Sequence, residues 1–319
     1  AAGPRPAPDW RGARLARRPT GAPPAGSYYT RRMDEIRINA VMVGRGRPFG
    51  PHGEVSATQK DPVEGPVALT VLGLAGDEHK DPNHGGPDKA LLHYAAEHYE
   101  MWAEHFPHLR GEGPGTRSAG LTGGGLTPGA FGENLSTRGM TEHTVCVGDR
   151  YRIGSDILVE VSQPRQPCWK LSHNAGEREI ARLMQKKAAP GWYYRILELG
   201  GTGSTLSAKG APHAAARDPG AGGENQAAGA TSAPAADAAD ATAPLHAGMT
   251  MKLVERPNPD WPLARLIEGF YLTPLDAEFL EEATALSALG REWPMIMEKR
   301  LASGVVEDWN RRLYGPLGE

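Results

Sequence analysis

The chain has 319 residues, with 35 basic and 38 acidic side chains for a formal net charge of −3, 39% hydrophobic residues, 41 Gly, 28 Pro and two cysteines. That length sets an expectation of about two domains; the near-neutral balance argues against a bulk nucleic-acid binder, and no run of about 18 apolar residues offers a membrane-spanning helix. Cys146 and Cys168 are too few for a disulfide framework or a four-cysteine metal site, which points to a reducing, cytoplasmic setting.

Residues 1–33 carry seven arginines and almost no apolar content. They lack the apolar centre of a secretory signal and read as a disordered extension. Ordered patterning starts past Met33. Strands are expected at Ile36–Val41, which alternates, and at Val67–Val71 and Thr144–Val147. Tyr151–Ile153 and Ile157–Val161 flank Gly154-Ser155-Asp156 as a hairpin, and Trp192–Leu197 and Met249–Val254 complete the set. Many short strands with few crossover helices favour an antiparallel barrel over a doubly wound sheet, a mainly β fold with accessory helices. One helix is expected over Asp88–Phe106, where Leu92, Ala95, Tyr99, Trp102 and Phe106 recur at spacings of three and four. Another is expected over Asn174–Lys187, with Asn174 and Glu177 as a capping pair.

Gly111–Pro128 is Gly-rich and reads as a long surface loop. The stretch 203–244 has no large apolar residue after Leu206 and reads as a disordered insertion. Past Pro257 the period becomes helical. Thr273-Pro274-Leu275-Asp276 looks like an N-cap, a first-turn proline and a box-closing acid, opening a helix that stops at Gly290. Trp261–Phe270 and Trp293–Leu301 flank it, with Gly304 as a second stop, making a small C-terminal three-helix bundle. The expected organisation is therefore an extension over 1–33, a folded body over 34–256 interrupted at 203–244, and a helical unit over 257–319.

Three clusters could carry chemistry. The first runs from Gly76-Asp77-Glu78-His79 to His84-Gly85-Gly86-Pro87-Asp88-Lys89. Adjacent glycines before a helix expose backbone N–H groups to an anion, and Lys89 adds a cation; a plain Gly-Gly turn capped by Asp88 explains the pattern equally well. No Gly-x-Ser-x-Gly elbow accompanies the His-Gly-Gly run, which disfavours an esterase. His79, His84, His93 and His98 read as a mixture of surface and core histidines, since His93 and His98 are five apart and do not share a helical face. The second cluster is Phe131-Gly132-Glu133-Asn134-Leu135, whose Glu133 and Asn134 either face a pocket or make an Asx turn.

The third cluster is the sharpest: Gln163-Pro164-Arg165-Gln166-Pro167-Cys168-Trp169-Lys170-Leu171. Two prolines hold it extended, so Cys168 and Lys170 point the same way with Arg165 nearby. Neighbouring cations favour a thiolate, the reactive and metal-ligating form, and suit a phosphate. A soft thiolate suits a transition metal. Cys146, in an apolar stretch, reads as an inert core residue.

The segments GLAGDEHKDPNHGGPDKALLHY, FGENLST, VGDRYRIG, SQPRQPCWKL and MEKRLASGVVEDWNRRLYG resemble the MOSC family (molybdenum cofactor sulfurase C-terminal domain), in its YiiM-type bacterial branch. The likeness covers about 34–202 and 246–315. It implies a β-barrel-like MOSC domain with a three-helix C-terminal domain, binding molybdenum cofactor, a pyranopterin with a terminal phosphate. By that resemblance Cys168 is the catalytic cysteine that ligates molybdenum, and Arg165 and Lys170 lie near the pterin or its phosphate. His84, Gly85, Gly86 and Lys89 fall at the cofactor pocket, and Glu133 and Asn134 line it.

The implied activity is reductive N–O cleavage of N-hydroxylated compounds such as 6-N-hydroxylaminopurine, a detoxification of base analogues. Two cysteines cannot hold an iron–sulfur cluster, and no flavin or nicotinamide glycine fingerprint occurs. Electrons are therefore expected from a separate flavoprotein reductase, and the resemblance favours a homodimer. A cofactor or sulfur carrier without reductase activity, and a simple thiol enzyme with Cys168 as nucleophile, are the competing classes.

Overall fold

The structure is a computed structural model, and it describes residues 35–49, 54–80, 85–110, 126–200 and 241–315. The expectations for 1–33, for nearly all of the Gly-rich loop and for most of the 203–244 insertion lie outside the described residues. The end of that insertion is a correction: Ala243–Leu245 is a strand, paired antiparallel with Val67–Thr70 and buried at Ala243 and Leu245.

The long alternating strand Ile36–Gly44 organises the molecule. It pairs on one side with Leu135–Thr137 and on the other with Thr250–Glu255, through Ile36 opposite Met251. From there the order runs through Arg150–Ile153, Ile157–Pro164, Trp192–Leu199 and Leu91–Ala95 back to Leu135–Thr137, closing a seven-strand ring. Every pairing in the ring is antiparallel except that of Leu91–Ala95 with Leu135–Thr137. The hairpin across Gly154-Ser155-Asp156 forms as its sequence dictates, and Gly154 takes the left-handed backbone (φ 56°) that the turn requires. Ile38, Val41, Leu135, Ile153, Val159 and Tyr194 fill the interior. Burial of each such side chain contributes on the order of 1.5–3 kcal/mol.

Three readings need correcting. The stretch Asp88–Phe106 is not one helix: a single turn at Pro87–Lys89 leads into the strand Leu91–Ala95, and the helix covers Ala96–His105. Leu92 and Ala95 fall in helical register with Tyr99 and Trp102, but all five strand residues are buried because neighbours cover both faces, and such a strand shows no alternation. Thr144–Val147 is no full strand: it keeps one antiparallel bridge, Cys146 with Pro262, between two turns, and the Asp149 carboxylate accepts from the Cys146 backbone N–H at 2.9 Å. Asn174–Lys187 is two helices, Trp169–Ala175 and Ile180–Lys186, broken at Gly176 with φ 67°. Asn174 caps nothing; its buried amide donates to the Thr58 and Ala130 carbonyls at 3.2 Å.

The C-terminal part holds the helices Leu263–Leu272, Ala277–Thr284 and Glu292–Ser303 and a short fourth, Asn310–Tyr314. Asp276 rather than Thr273 is the N-cap of the second, accepting from the Phe279 N–H at 3.3 Å. Gly304 ends the third helix with φ 63°, as its position foretold. Gly290 lies beyond the end of the second helix and donates its N–H to the Ser162 carbonyl at 2.9 Å. Leu266, Ile267, Phe270, Trp293 and Met297 belong to the same apolar cluster as the barrel interior. Among the described residues, no helix is long and apolar enough to cross a membrane.

Candidate functional site

A cleft, about 540 Å³ when the open solvent at its mouth is included, lies between the turn at Ser56–Lys60, the segment Glu78–Lys80, the Gly85–Lys89 turn and the Arg165–Lys170 segment. Its base is a polar network. The Asp77 carboxylate, 1% exposed, accepts from Lys60 Nζ at 2.6 Å, from Asn134 Nδ2 at 2.9 Å and from the Gly44 N–H at 2.7 Å. Asn134 Oδ1 in turn accepts from the Leu92 N–H at 3.0 Å. One amide thus ties the strand Leu91–Ala95 to the carboxylate under the cleft. Burial pulls the Lys60 ammonium below its ordinary pKa, with Asp77 opposing. Burial likewise lowers the pKa of His79, which lines the same wall.

Two backbone features give the cleft its shape. Gly85 and Gly86 both take φ 89°, which a residue with a Cβ rarely adopts, and they turn the chain into Pro87–Lys89. The Lys89 ammonium lines the cleft and also pairs with Glu292 at 2.6 Å. At Gly129, with φ 96°, a Cβ would stand 2.0 Å from the Lys60 carbonyl oxygen, so only glycine lets the two chains meet there.

Arg165 leaves the strand Ile157–Pro164 with its backbone N–H bound to the Gly191 carbonyl at 2.9 Å. Its side chain is buried; Nη2 donates to the Phe131 carbonyl, whereas Nη1 is buried without a hydrogen-bond partner. Cys168 follows, half-buried, immediately before the helix Trp169–Ala175. Tyr193 lines the cleft within electrostatic reach of Cys168: burial pushes its phenol up, Arg165 and Lys89 oppose this, and Cys168 and Glu292 add to it.

Gly85, Lys89, Asn134, Arg165 and Lys170 all line this one cleft. Cys168 is not among the lining residues; it falls between the lining residues Arg165 and Lys170 in the chain and lies within electrostatic reach of Tyr193. Gly86 shapes the turn without lining the cleft. Glu133 is a correction: its fully buried carboxylate turns inward, accepting from the Tyr99 hydroxyl and from the Gly129 and Phe131 N–H groups, so it braces the turn behind the wall. His84 lies outside the described residues. Lys60, Lys80, His79 and Tyr193 also line the cleft and were not singled out as pocket residues. Asp77 and His79 lay in the Gly76–His79 motif, so only their role was missed; nothing in the sequence marks Lys60, which the Gly129 contact brings in.

His93 and His98 are buried, as core histidines. His93 sits between the Tyr194 and Thr137 hydroxyls at 3.1 and 2.9 Å, stacked on Trp192, and His98 pairs with Glu142 at 2.7 Å. Burial pushes the Cys146 thiol up to about 12, consistent with an inert residue. No group of three His, Cys, Asp or Glu side chains that could hold a metal occurs among the described residues. Of the two thiols, Cys168 is the half-buried one, and it offers a soft donor three residues beyond the lining Arg165.

Among the described residues, the side chains of Lys60, Lys80, Lys89, Arg165 and Lys170 line the cleft with the carboxylate of Glu78, while Asp77 pairs with Lys60 beneath it and Glu292 with Lys89. Fold and site thus define a closed β-barrel protein with a cationic ligand cleft and one half-buried thiol in the segment between two of its lining residues. Residues 80–204 match the MOSC domain and residues 261–304 match the YiiM-like, 3-alpha helix domain. The chain is 34% identical over 266 residues to Protein YiiM of Escherichia coli (strain K12), spanning 83% of this chain and 93% of that protein. It is 29% identical to the crystal structure of YiiM from Escherichia coli, with a TM-score of 0.59 over 88% of this chain and all of that one. It is also 37% identical over 171 residues, 52% of this chain but only 28% of the relative, to a protein named Reductase in Gibberella moniliformis. The chain belongs to the MOSC family, in its YiiM-like branch. MOSC domains in general are associated with binding of molybdenum cofactor.

Proposed function

We propose that this chain is a molybdenum-cofactor-dependent reductase of N-hydroxylated compounds, with 6-N-hydroxylaminopurine as the type of substrate. The observation that carries the reading is Arg165. Its buried Nη1 lacks a partner in a cleft rimmed by cations, three residues before a half-buried thiol. An unpaired buried guanidinium nitrogen calls for an anionic acceptor, and the phosphate and pterin oxygens of the cofactor fit that demand. The similarity to a protein named a reductase supports the oxidoreductase class.

When bound, the cofactor supplies two-electron reduction of an N–O bond. The residues of this chain hold it and tune it. Cys168 would be the protein's own sulfur ligand to the metal, and Arg165, Lys170 and Lys89 would receive the anionic portion. Asn134 and Asp77 fix the floor and hold Lys60 in place. Electrons come from a separate flavoprotein, and the working unit is a cytoplasmic homodimer. The deciding measurement is the molybdenum and pterin content of protein expressed in a cofactor-competent host, followed by turnover of 6-N-hydroxylaminopurine with an artificial electron donor. Cofactor at about one per chain with turnover supports the proposal. Cofactor without turnover makes the protein a carrier, and neither one sinks the reading.

A further inference from the structure

The wall of the cleft at Lys89 is not built by the barrel alone. The helix Glu292–Ser303 starts against it, and Glu292, in the first turn of that helix, pairs with Lys89 at 2.6 Å across 203 positions of sequence. The pairs Lys60–Asp77 and Lys80–Glu78, in contrast, are made within the barrel part of the chain. The start of the helix is fixed on the same turn. Ser162 Oγ donates to the Asp88 carbonyl at 2.5 Å, and the Ser162 carbonyl accepts from the Gly290 N–H at 2.9 Å. The Asp88 carboxylate, paired with Arg195 at 2.8 Å, accepts from the Arg291 N–H at 3.4 Å. At Gly290 a Cβ would stand 2.0 Å from Gln163 Oε1, so a side chain there would push the buried Gln163 aside.

Both backbones that carry the pair are therefore anchored, while the side chains differ in exposure: 16% for Lys89 and 43% for Glu292. The Glu292 charge is felt inside the cleft all the same. At the lining Tyr193, Lys89 and Glu292 act on the phenol in opposite directions. An ion pair with one half-exposed partner is weak, because water screens it and two long side chains must be ordered to make it. A phosphate-type anion offers a lysine several acceptor oxygens and more than one charge. Glu292 can turn to solvent when Lys89 is taken from it, so no carboxylate is left buried and unpaired.

We propose that Glu292 is an acidic latch supplied to the cleft by the C-terminal helices: it holds Lys89 before a ligand enters, gives Lys89 up to a phosphate-bearing ligand, and so weakens the hold of the cleft on that ligand. Glu292 is a positioning residue, since it acts through Lys89. The inference rests on the reading that the cleft receives an anion, but not on molybdenum or on turnover. It gives the helical part of the chain a share in setting how tightly the barrel keeps what it binds.

The test is isothermal titration calorimetry of inorganic pyrophosphate into the full chain, purified from a host that makes no molybdenum cofactor. The wild type binds pyrophosphate, and Glu292→Gln binds it roughly two- to fivefold tighter; loss of a merely structural contact would weaken binding or leave it unchanged. Glu298→Gln removes the same charge from an exposed position further along the helix and keeps the wild-type affinity. Lys89→Met weakens binding, and in that background Glu292→Gln no longer tightens it. No binding by the wild type, equal or weaker binding by Glu292→Gln, the same gain in Glu298→Gln, or a gain that persists in the Lys89→Met background overturns the proposal. Pyrophosphate binding needs neither metal nor pterin, so a protein that takes up no molybdenum in a cofactor-competent host would sink the reductase reading and leave the latch standing.

Discussion

His93 makes the fold acid-labile by an amount the structure lets one work out. The imidazole is fully buried between two hydroxyls, and burial, with His98 adding to it, depresses its pKa from 6.5 to about 3. Below pH 6.5 the unfolded chain takes up a proton that the folded one refuses until about pH 3. Protons therefore favour unfolding across that window, and the stability contributed by neutral His93 is fully present above it. The gap of about 3.5 units corresponds to about 4–5 kcal/mol at its lower end and about 2 kcal/mol at pH 5. His93→Gln retains polar groups toward Tyr194 and Thr137 but does not titrate. Urea unfolding of both proteins at pH 7.5, 6, 5 and 4.5 is the assay. The variant starts less stable, and its deficit shrinks by about 2 kcal/mol by pH 5. A deficit independent of pH would refute the reasoning.

The remaining expectations concern the cleft and its supports. Glu133→Ala strands the Tyr99 hydroxyl and two backbone N–H groups; the urea midpoint should fall by the equivalent of about 3 kcal/mol. Gly129→Ala combines a left-handed backbone with a Cβ inside contact distance of the Lys60 carbonyl, and costs roughly 2–3 kcal/mol in the same measurement; an unchanged midpoint contradicts the geometry. Iodoacetamide labels Cys168 in the native protein and Cys146 only after unfolding, scored by peptide mass. Cys168→Ser abolishes turnover and Cys146→Ser leaves it nearly unchanged; equal losses would reverse the assignment.

Much of this architecture was legible in the sequence. Where one face of a strand meets the interior, as in Ile36–Gly44 or the hairpin around Gly154, alternation and turn residues declare it. The motifs HGGPDK, FGENL and PRQPCWK named Gly85, Lys89, Asn134, Arg165 and Lys170, which the fold gathers in one cleft. The failures have one physical root. Leu91–Ala95 is covered on both faces, and nothing local separates such a run from the start of the helix that follows. Glu133 lay in the right motif, but two N–H donors on its own turn and the Tyr99 hydroxyl drew the carboxylate inward. Lys60 belongs to the cleft only because Gly129, far along the chain, permits the close approach, and pattern reading over a short window does not see such a partner.

The ring closes through Met251 opposite Ile36, so its first strand finds its last neighbour only after nearly the whole barrel has been made. A chain emerging from a ribosome holds the Ile36–Arg37 end of this strand unpaired on that edge until Thr250–Glu255 arrives, while Lys60–Pro62 already covers Met42–Gly44. High contact order of this kind slows folding and leaves nascent chains prone to association. By number of residues alone, the separation of Leu199 from Ala243 adds little to that cost, because closure entropy grows only with the logarithm of length. Shortening it would speed assembly far less than circular permutation that joins the two closing strands directly.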